Sequence, residues 1–291
     1  MSANFAAQRT SIMRIDTAVS FWKKDAPSPA DEPLILHQDY LPQHLGFVLM
    51  EHGLTGVIAI QHAERNPSTT EWLAWMEECT EVIAAVAQVT SDSLPQVSEW
   101  VAAFPKLKAV RTSLSTLAND DQYRHNLVAA LNSLDITLEI AVDQVLADPC
   151  ITWFEKAPRQ RVVLATKLTK DGDDAVLDVA LIRAWMNQHP NLWIKLDGLP
   201  NLTSTDTAES SWDDPEDAML DASMAMTFVN QMLESQLNER LVWGSTWPAL
   251  TAQFTFDEAM DILDTCLQGK PEVTKTKLLG ANVIDAYGLS E

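Results

Sequence analysis

Six histidines, His37, His44, His52, His62, His125 and His189, are the residues best suited to bind a metal or move a proton near neutral pH. No two of them stand at chelating spacing on one strand or one helix face, so no metal motif is written locally. Ser245 has no His and Asp in evident reach, which leaves a serine nucleophile without its base. Cys79, Cys150 and Cys266 are odd in number and show no CxxC pairing, which excludes a disulfide framework and a zinc knuckle and predicts reduced thiols. Ten tryptophans are many for 291 residues, and Trp22, Trp153, Trp243 and Trp247 fall at or near strand ends, where a ring can stack on a ligand or pack between layers.

Those residues must be positioned by secondary structure, and the chain alternates short runs rich in Val, Ile and Leu with longer amphipathic stretches, the pattern of βα units. Eight such runs are read: Met13 to Phe21, Gly56 to Ala63, Ile83 to Thr90, Leu107 to Leu114, Ile136 to Asp143, Arg161 to Leu168, Asn191 to Leu199 and Arg240 to Ala249. Between them, Val176, Leu177, Ala180, Leu181, Ala184 and Trp185 recur at helical spacing, as do Met224, Phe228, Met232 and Leu233. Asp92 or Ser93 is the expected cap of the helix ahead of Val97, and Pro105 and Pro190 stop helices before the fourth and seventh strands. Eight strands without a composition break predict a single (β/α)8 TIM barrel over residues 1–291, with a tail at 1–12. The long connections Trp22 to Tyr40 and Pro200 to Ala218 would lie over the carboxyl-end face, the second as a lid.

A formal net charge of -21 repels phosphate backbones and anionic lipid, so neither nucleic acid nor a membrane is an expected partner. No apolar run is long enough for a span and the N-terminus does not read as a secretory signal, which predicts a soluble cytoplasmic protein.

Four fragments in order resemble the amidohydrolase-related family that includes fuconolactonases and 2-pyrone-4,6-dicarboxylate lactonases. They are Ile15-Asp16 through Phe21-Trp22, Leu107 through Arg111, Lys195-Leu196-Asp197-Gly198-Leu199, and Gly244-Ser245-Thr246-Trp247-Pro248. Gln61, Thr70 through Leu73, and Asn282 through Leu289 add weaker likenesses. The resemblance implies an amidohydrolase-like barrel with lactone-hydrolase ancestry. It also implies that the family's His-x-His pair falls on Ala18 and Ser20, a further histidine on Thr166, and the catalytic aspartate on Thr246. None of these four is a base at neutral pH or a strong metal ligand, while lactone hydrolysis needs a group to deprotonate water and another to stabilise the oxyanion.

In the family the His-x-His positions point inward. Strand alternation then places Asp16, Ala18 and Ser20 on one inner face, and by the same parity Gln61, Gln88, Arg111, Glu139, Thr166, Lys195 and Asp197 in the barrel or its mouth. Arg111 and Lys195 could grip a carboxylate or sugar acid; they could equally close an internal ion network with Glu139 and Asp197; or Lys195 could form a Schiff base. Trp22 and Trp247 are open candidates for stacking. Only His37 and His62 belong near the mouth, where with Glu64 they could form a new metal site. The expectation is a barrel that has lost the family's lactone chemistry, uses no metal or cofactor, and keeps a polar pocket for a small anion. The alternative is a hydrolase of carboxylate-bearing lactones using reassigned residues.

Overall fold

The computed structural model describes residues 13–28, 32–142, 159–167, 179–202, 204–205, 220–234 and 238–290. Each of the eight predicted runs overlaps a strand, and only the third strand begins outside its run, one residue early: β1 Ile15–Val19, β2 Gly56–Ile60, β3 Val82–Gln88, β4 Leu107–Ser113, β5 Thr137–Val142, β6 Val162–Lys167, β7 Leu192–Asp197 and, last in the sheet, β10 Leu241–Gly244. They pair in parallel in chain order, and β10 returns to β1 through a single Val19–Trp247 bridge. The protein is a (β/α)8 TIM barrel.

The closing seam is held by unusual means. Ser20 N donates to Trp247 O at 2.8 Å and Thr17 Oγ1 to Trp243 O at 2.7 Å. A Cβ at position 244 would stand 2.3 Å from Ala18 Cβ, so Gly244 is what lets the last strand approach the first. β1 also shifts register between Asp16 and Val19, the mark of a bulge.

Two apolar layers follow from strands buried on both faces. The larger lies between strands and helices, and the smaller fills the barrel with residues such as Ile58, Val86, Ala109 and Val163. Its floor is closed by Val283, Ala286 and Tyr287 of the C-terminal helix α10 Asn282–Tyr287, where Thr137 Oγ1 donates to Ala286 O.

Outside stand α1 Pro42–Glu51, α2 Thr69–Glu78, α3 Val97–Ala103, α4 Leu114–Asn119, α5 Asp121–Leu134, α6 Val179–Gln188, α7 Ser223–Glu234, α8 Phe256–Cys266 and α9 Glu272–Thr276. Helices α3 and α6 end before Pro105 and Pro190 as expected. The expected cap of α3 is not made: Ser93 Oγ instead accepts from Thr90 N at 2.9 Å, and a 3-10 turn Leu94–Gln96 leads into the helix. Residues 176 and 177 of the predicted sixth helix lie outside the described residues.

The loop after β1 is ordered by a reciprocal backbone pair between Trp22 and Tyr40 and packs over the rim through Tyr40 and Trp247, whose rings are 5.1 Å apart. Most of the predicted lid at 200–218, together with Cys150, Trp153 and the tail 1–12, falls outside the described residues. Around the lid a two-stranded ribbon forms from β8 Ser204–Thr205 and β9 Leu220–Asp221, which the sequence did not announce because two residues are too few to carry a period. No helix among the described residues is long and apolar enough to cross a membrane.

Candidate functional site

A cavity of about 460 Å³ opens at the carboxyl ends of the strands. Its polar wall comes from Ser20 after β1, Gln61, His62 and Glu64 after β2, Gln88 ending β3, Arg111 on β4, Asp197 ending β7, and Thr246 after β10. Its apolar wall is mostly small, with Ala18, Ala63, Ala141 and Ala249. Gln61 is spoken for locally: its amide nitrogen donates to Asn66 O and Thr69 Oγ1, and its oxygen accepts from Gln88 N at 2.9 Å. Ser20 Oγ donates to Ile60 O, and Thr246 adopts φ 66°, a conformation that places the turn after β10 on the rim.

Beneath the cavity lies a closed ion network. Glu139 is fully buried; its Oε1 accepts from Arg111 Nη1 at 2.8 Å, and its Oε2 accepts from Lys195 Nζ at 2.7 Å and Tyr287 Oη at 2.6 Å. Lys195 Nζ also donates to Thr17 O at 2.8 Å. Burial alone would push Glu139 up, but the Lys195 and Arg111 charges hold it below the ordinary carboxylate value. Arg111 belongs to both levels: it is pinned to Glu139, yet its side chain is 18% exposed and faces the cavity.

Asp197 is different in kind. It is 6% exposed, its Oδ1 has no hydrogen-bond partner among the described residues, and burial pushes its pKa from 3.8 to about 7 against the pull of Lys195 and Arg111. Across the cavity His62 is pushed down by burial, with Glu64 opposing and Arg111 adding to the effect, so its imidazole is neutral near pH 7. Its Nδ1 also lacks a partner among the described residues. The cavity thus offers a fixed cation, a carboxyl group that titrates near neutrality and a neutral imidazole.

Several expected positions differ. The β1 bulge breaks the parity: Ala18 and Ser20 reach the cavity, whereas Asp16 sits in the seam, where its Oδ1 accepts from Ala18 N and Ser245 N. Thr166 shares the outward face of β6 with Leu164, opposite Val163 in the barrel interior, and its Oγ1 donates to Lys195 O. Lys195 points inward but does not line the cavity, so the two-residue grip reduces to Arg111 and a Schiff base has no access.

Trp22 is 2% exposed, donates to Leu36 O and stacks under Arg65, whose Cζ is 4.4 Å from its ring centre; it holds the loop and does not meet the cavity. Trp247 does line the cavity, wedged edge-on between Phe21 and Tyr40. His37 lies beside Glu32 away from the cavity, so His37 and His62 are not brought together there.

Two contributors escaped the sequence reading. Tyr287 reaches Glu139 from the last helix, and Arg65 pairs with Glu32 to fasten the first loop. Neither has a local signal, since both depend on where distant segments dock.

A family model described as Amidohydrolase matches residues 15–289. Among solved structures, an amidohydrolase from Burkholderia multivorans with bound zinc is 21% identical, covering 96% of this chain and 100% of that one at TM-score 0.67. A provisional 2-pyrone-4,6-dicarboxylic acid hydrolase from Pseudomonas putida is 16% identical over 96% of this chain and 99% of that one, at TM-score 0.70. A protein of the same description from Acinetobacter baumannii, holding citric acid, is 16% identical over 94% and 99%, at TM-score 0.69. No curated protein matches the chain.

Among the described residues no group of three or more His, Cys, Asp or Glu could hold a metal, and Ala18, Ser20 and Thr246 line the cavity. With the model matched from the first strand to the last helix and the barrel in place, the chain belongs to the amidohydrolase family.

Proposed function

We propose that this barrel, as one domain spanning residues 1–291, has left the family's hydrolytic positions behind and binds a small carboxylate-bearing or sugar-acid-like molecule at its mouth. The observation that carries this reading is Arg111: pinned by Glu139 and facing the cavity, it is a pre-oriented guanidinium in a strongly acidic protein. The citric acid of the Acinetobacter relative, and the dicarboxylic acid in its name, are molecules of the same chemistry. The thiols Cys79 and Cys266 are free, in keeping with residence in the cytoplasm.

Thermal shift with citrate, gluconate and succinate tests the reading. A ligand at ~100 times its Kd adds about 2.7 kcal/mol of apparent stability, and Arg111→Ala is expected to abolish the shift. No shift with any carboxylate in the wild type would end it.

One observation favours a second reading, an active hydrolase of carboxylate-bearing lactones with a reassigned base. Asp197, titrating near pH 7 at the cavity wall, could deprotonate an attacking water as the family aspartate does in the resembled enzymes. Hydrolysis of a lactone panel that disappears in Asp197→Asn, with the fold retained, would select this reading over binding alone.

A further inference from the structure

Resting on the carboxylate reading, we propose that Asp197 decides which carboxylate the cavity accepts: while Arg111 holds the ligand's carboxylate, the Asp197 carboxyl group meets a second oxygen on the neighbouring carbon. The site then selects 2-hydroxy and 2-oxo monocarboxylates over plain carboxylates of equal size.

The geometry supplies four converging facts. Asp197 sits on the same strand face as Trp193 and Lys195, which both point into the barrel, and it ends that row at the cavity wall. Its Oδ1 is buried and unpartnered among the described residues, a state that costs free energy unless a ligand satisfies it. Arg111 and Asp197 line the same cavity, so both groups can address one small molecule. The alanines at positions 18, 63, 141 and 249 leave room for a substituent beyond the acid group.

Charge sets the direction. A carboxyl group that keeps its proton donates to a hydroxyl or oxo oxygen; once ionised it can only accept, and it repels the ligand's carboxylate. The ionisable groups around it are Lys195 on its own strand, Arg111 on β4, Glu139 on β5 with Tyr287 of α10 below, Asp16 in the β1 seam, and His62 and Glu64 after β2. Burial outweighs the cations among them and keeps the proton on Asp197 up to about pH 7. Selectivity for a 2-oxo acid, whose oxygen can only accept, therefore holds below pH 7 and fades above it, whereas a 2-hydroxy acid can still donate its O–H to the ionised group.

Isothermal titration with matched pairs, pyruvate against propionate and phenylglyoxylate against phenylacetate, at pH 6 and pH 8.5, is the test. At pH 6 the oxo acid of each pair is expected to bind about tenfold tighter, the worth of one ordinary hydrogen bond, and the preference should vanish at pH 8.5. Asp197→Ala should erase the preference at both pH values. Asp197→Asn keeps the shape and an N–H donor, so it should preserve the preference and make it independent of pH. Equal binding within each pair that still needs Arg111 overturns this inference and leaves the carboxylate reading standing. No binding by any of the four acids overturns both.

Discussion

Glu139→Ala is expected to cost about 3–5 kcal/mol of unfolding free energy, the largest effect of any single substitution in the barrel interior. The carboxylate is fully buried and takes hydrogen bonds from Arg111, Lys195 and Tyr287 at 2.8, 2.7 and 2.6 Å. Without it the Lys195 ammonium, which is 0% exposed, keeps only Thr17 O as a hydrogen-bond acceptor among the described residues. An uncompensated buried cation is what makes breaking such a pair costly, whereas replacing both members by apolar groups is often close to neutral. The double variant Glu139→Leu with Lys195→Met should therefore lose less than Glu139→Ala alone, and a double-mutant cycle in urea gives the coupling. The pH sense is fixed by the direction of the shift. Glu139 is held below its ordinary value of 4.5, so its contribution is present above that pH and is lost as the pH falls through the folded-state value. The cost of Glu139→Ala should shrink in acid; a cost under 1 kcal/mol at pH 7 would mean that the network is not formed.

Why the barrel could be read from the sequence, and part of its site could not, follows from the same physics. Parallel strands covered on both faces become continuous apolar runs, and those runs gave away all eight strands. The same burial removes the polar and apolar alternation that would report facing. Every residue of β1 is buried, so the pattern holds no trace of the bulge that moves Asp16 into the seam while Ala18 and Ser20 face the cavity. On β6 the same parity assigns Thr166 to the barrel, whereas Val163 fixes the inward face one residue out of step. Parity did hold on β3, β4, β5 and β7, where no break separates the inner row from Gln88, Arg111, Glu139, Lys195 and Asp197. What no strand pattern can show is depth. Lys195 and Asp197 share a face two residues apart, yet one is sealed beneath the cavity, its Nζ bound to Glu139 Oε2 and Thr17 O, while the other ends the strand at the cavity wall.

Asp197 also sets the second large expectation. Relative to Asp197→Asn, the wild type should lose up to about 4 kcal/mol of unfolding free energy between pH 4 and pH 8, since a gap from 3.8 to about 7 is worth that much at 1.36 kcal/mol per unit. The sign follows from proton binding. Below pH 3.8 the aspartic acid is neutral whether the chain is folded or unfolded, and the group adds no pH dependence. As the pH rises from there to about 7, the unfolded chain releases the proton and the folded chain retains it, so stability falls until the folded group ionises too, and then levels off. Asparagine has the same shape and does not titrate, so any fixed cost of a buried amide cancels from the pH dependence. Urea unfolding of both proteins at pH 4, 5, 6, 7 and 8 measures the difference directly. A flat difference would mean that water or a partner meets Oδ1 and that the carboxyl group is an ordinary one; it would remove the reassigned base and the neutral donor together. A falling difference would show a protein that gives up several kcal/mol to hold one carboxyl group near neutrality at the mouth of its barrel, and such a cost is characteristic of residues kept for what they do rather than for the fold.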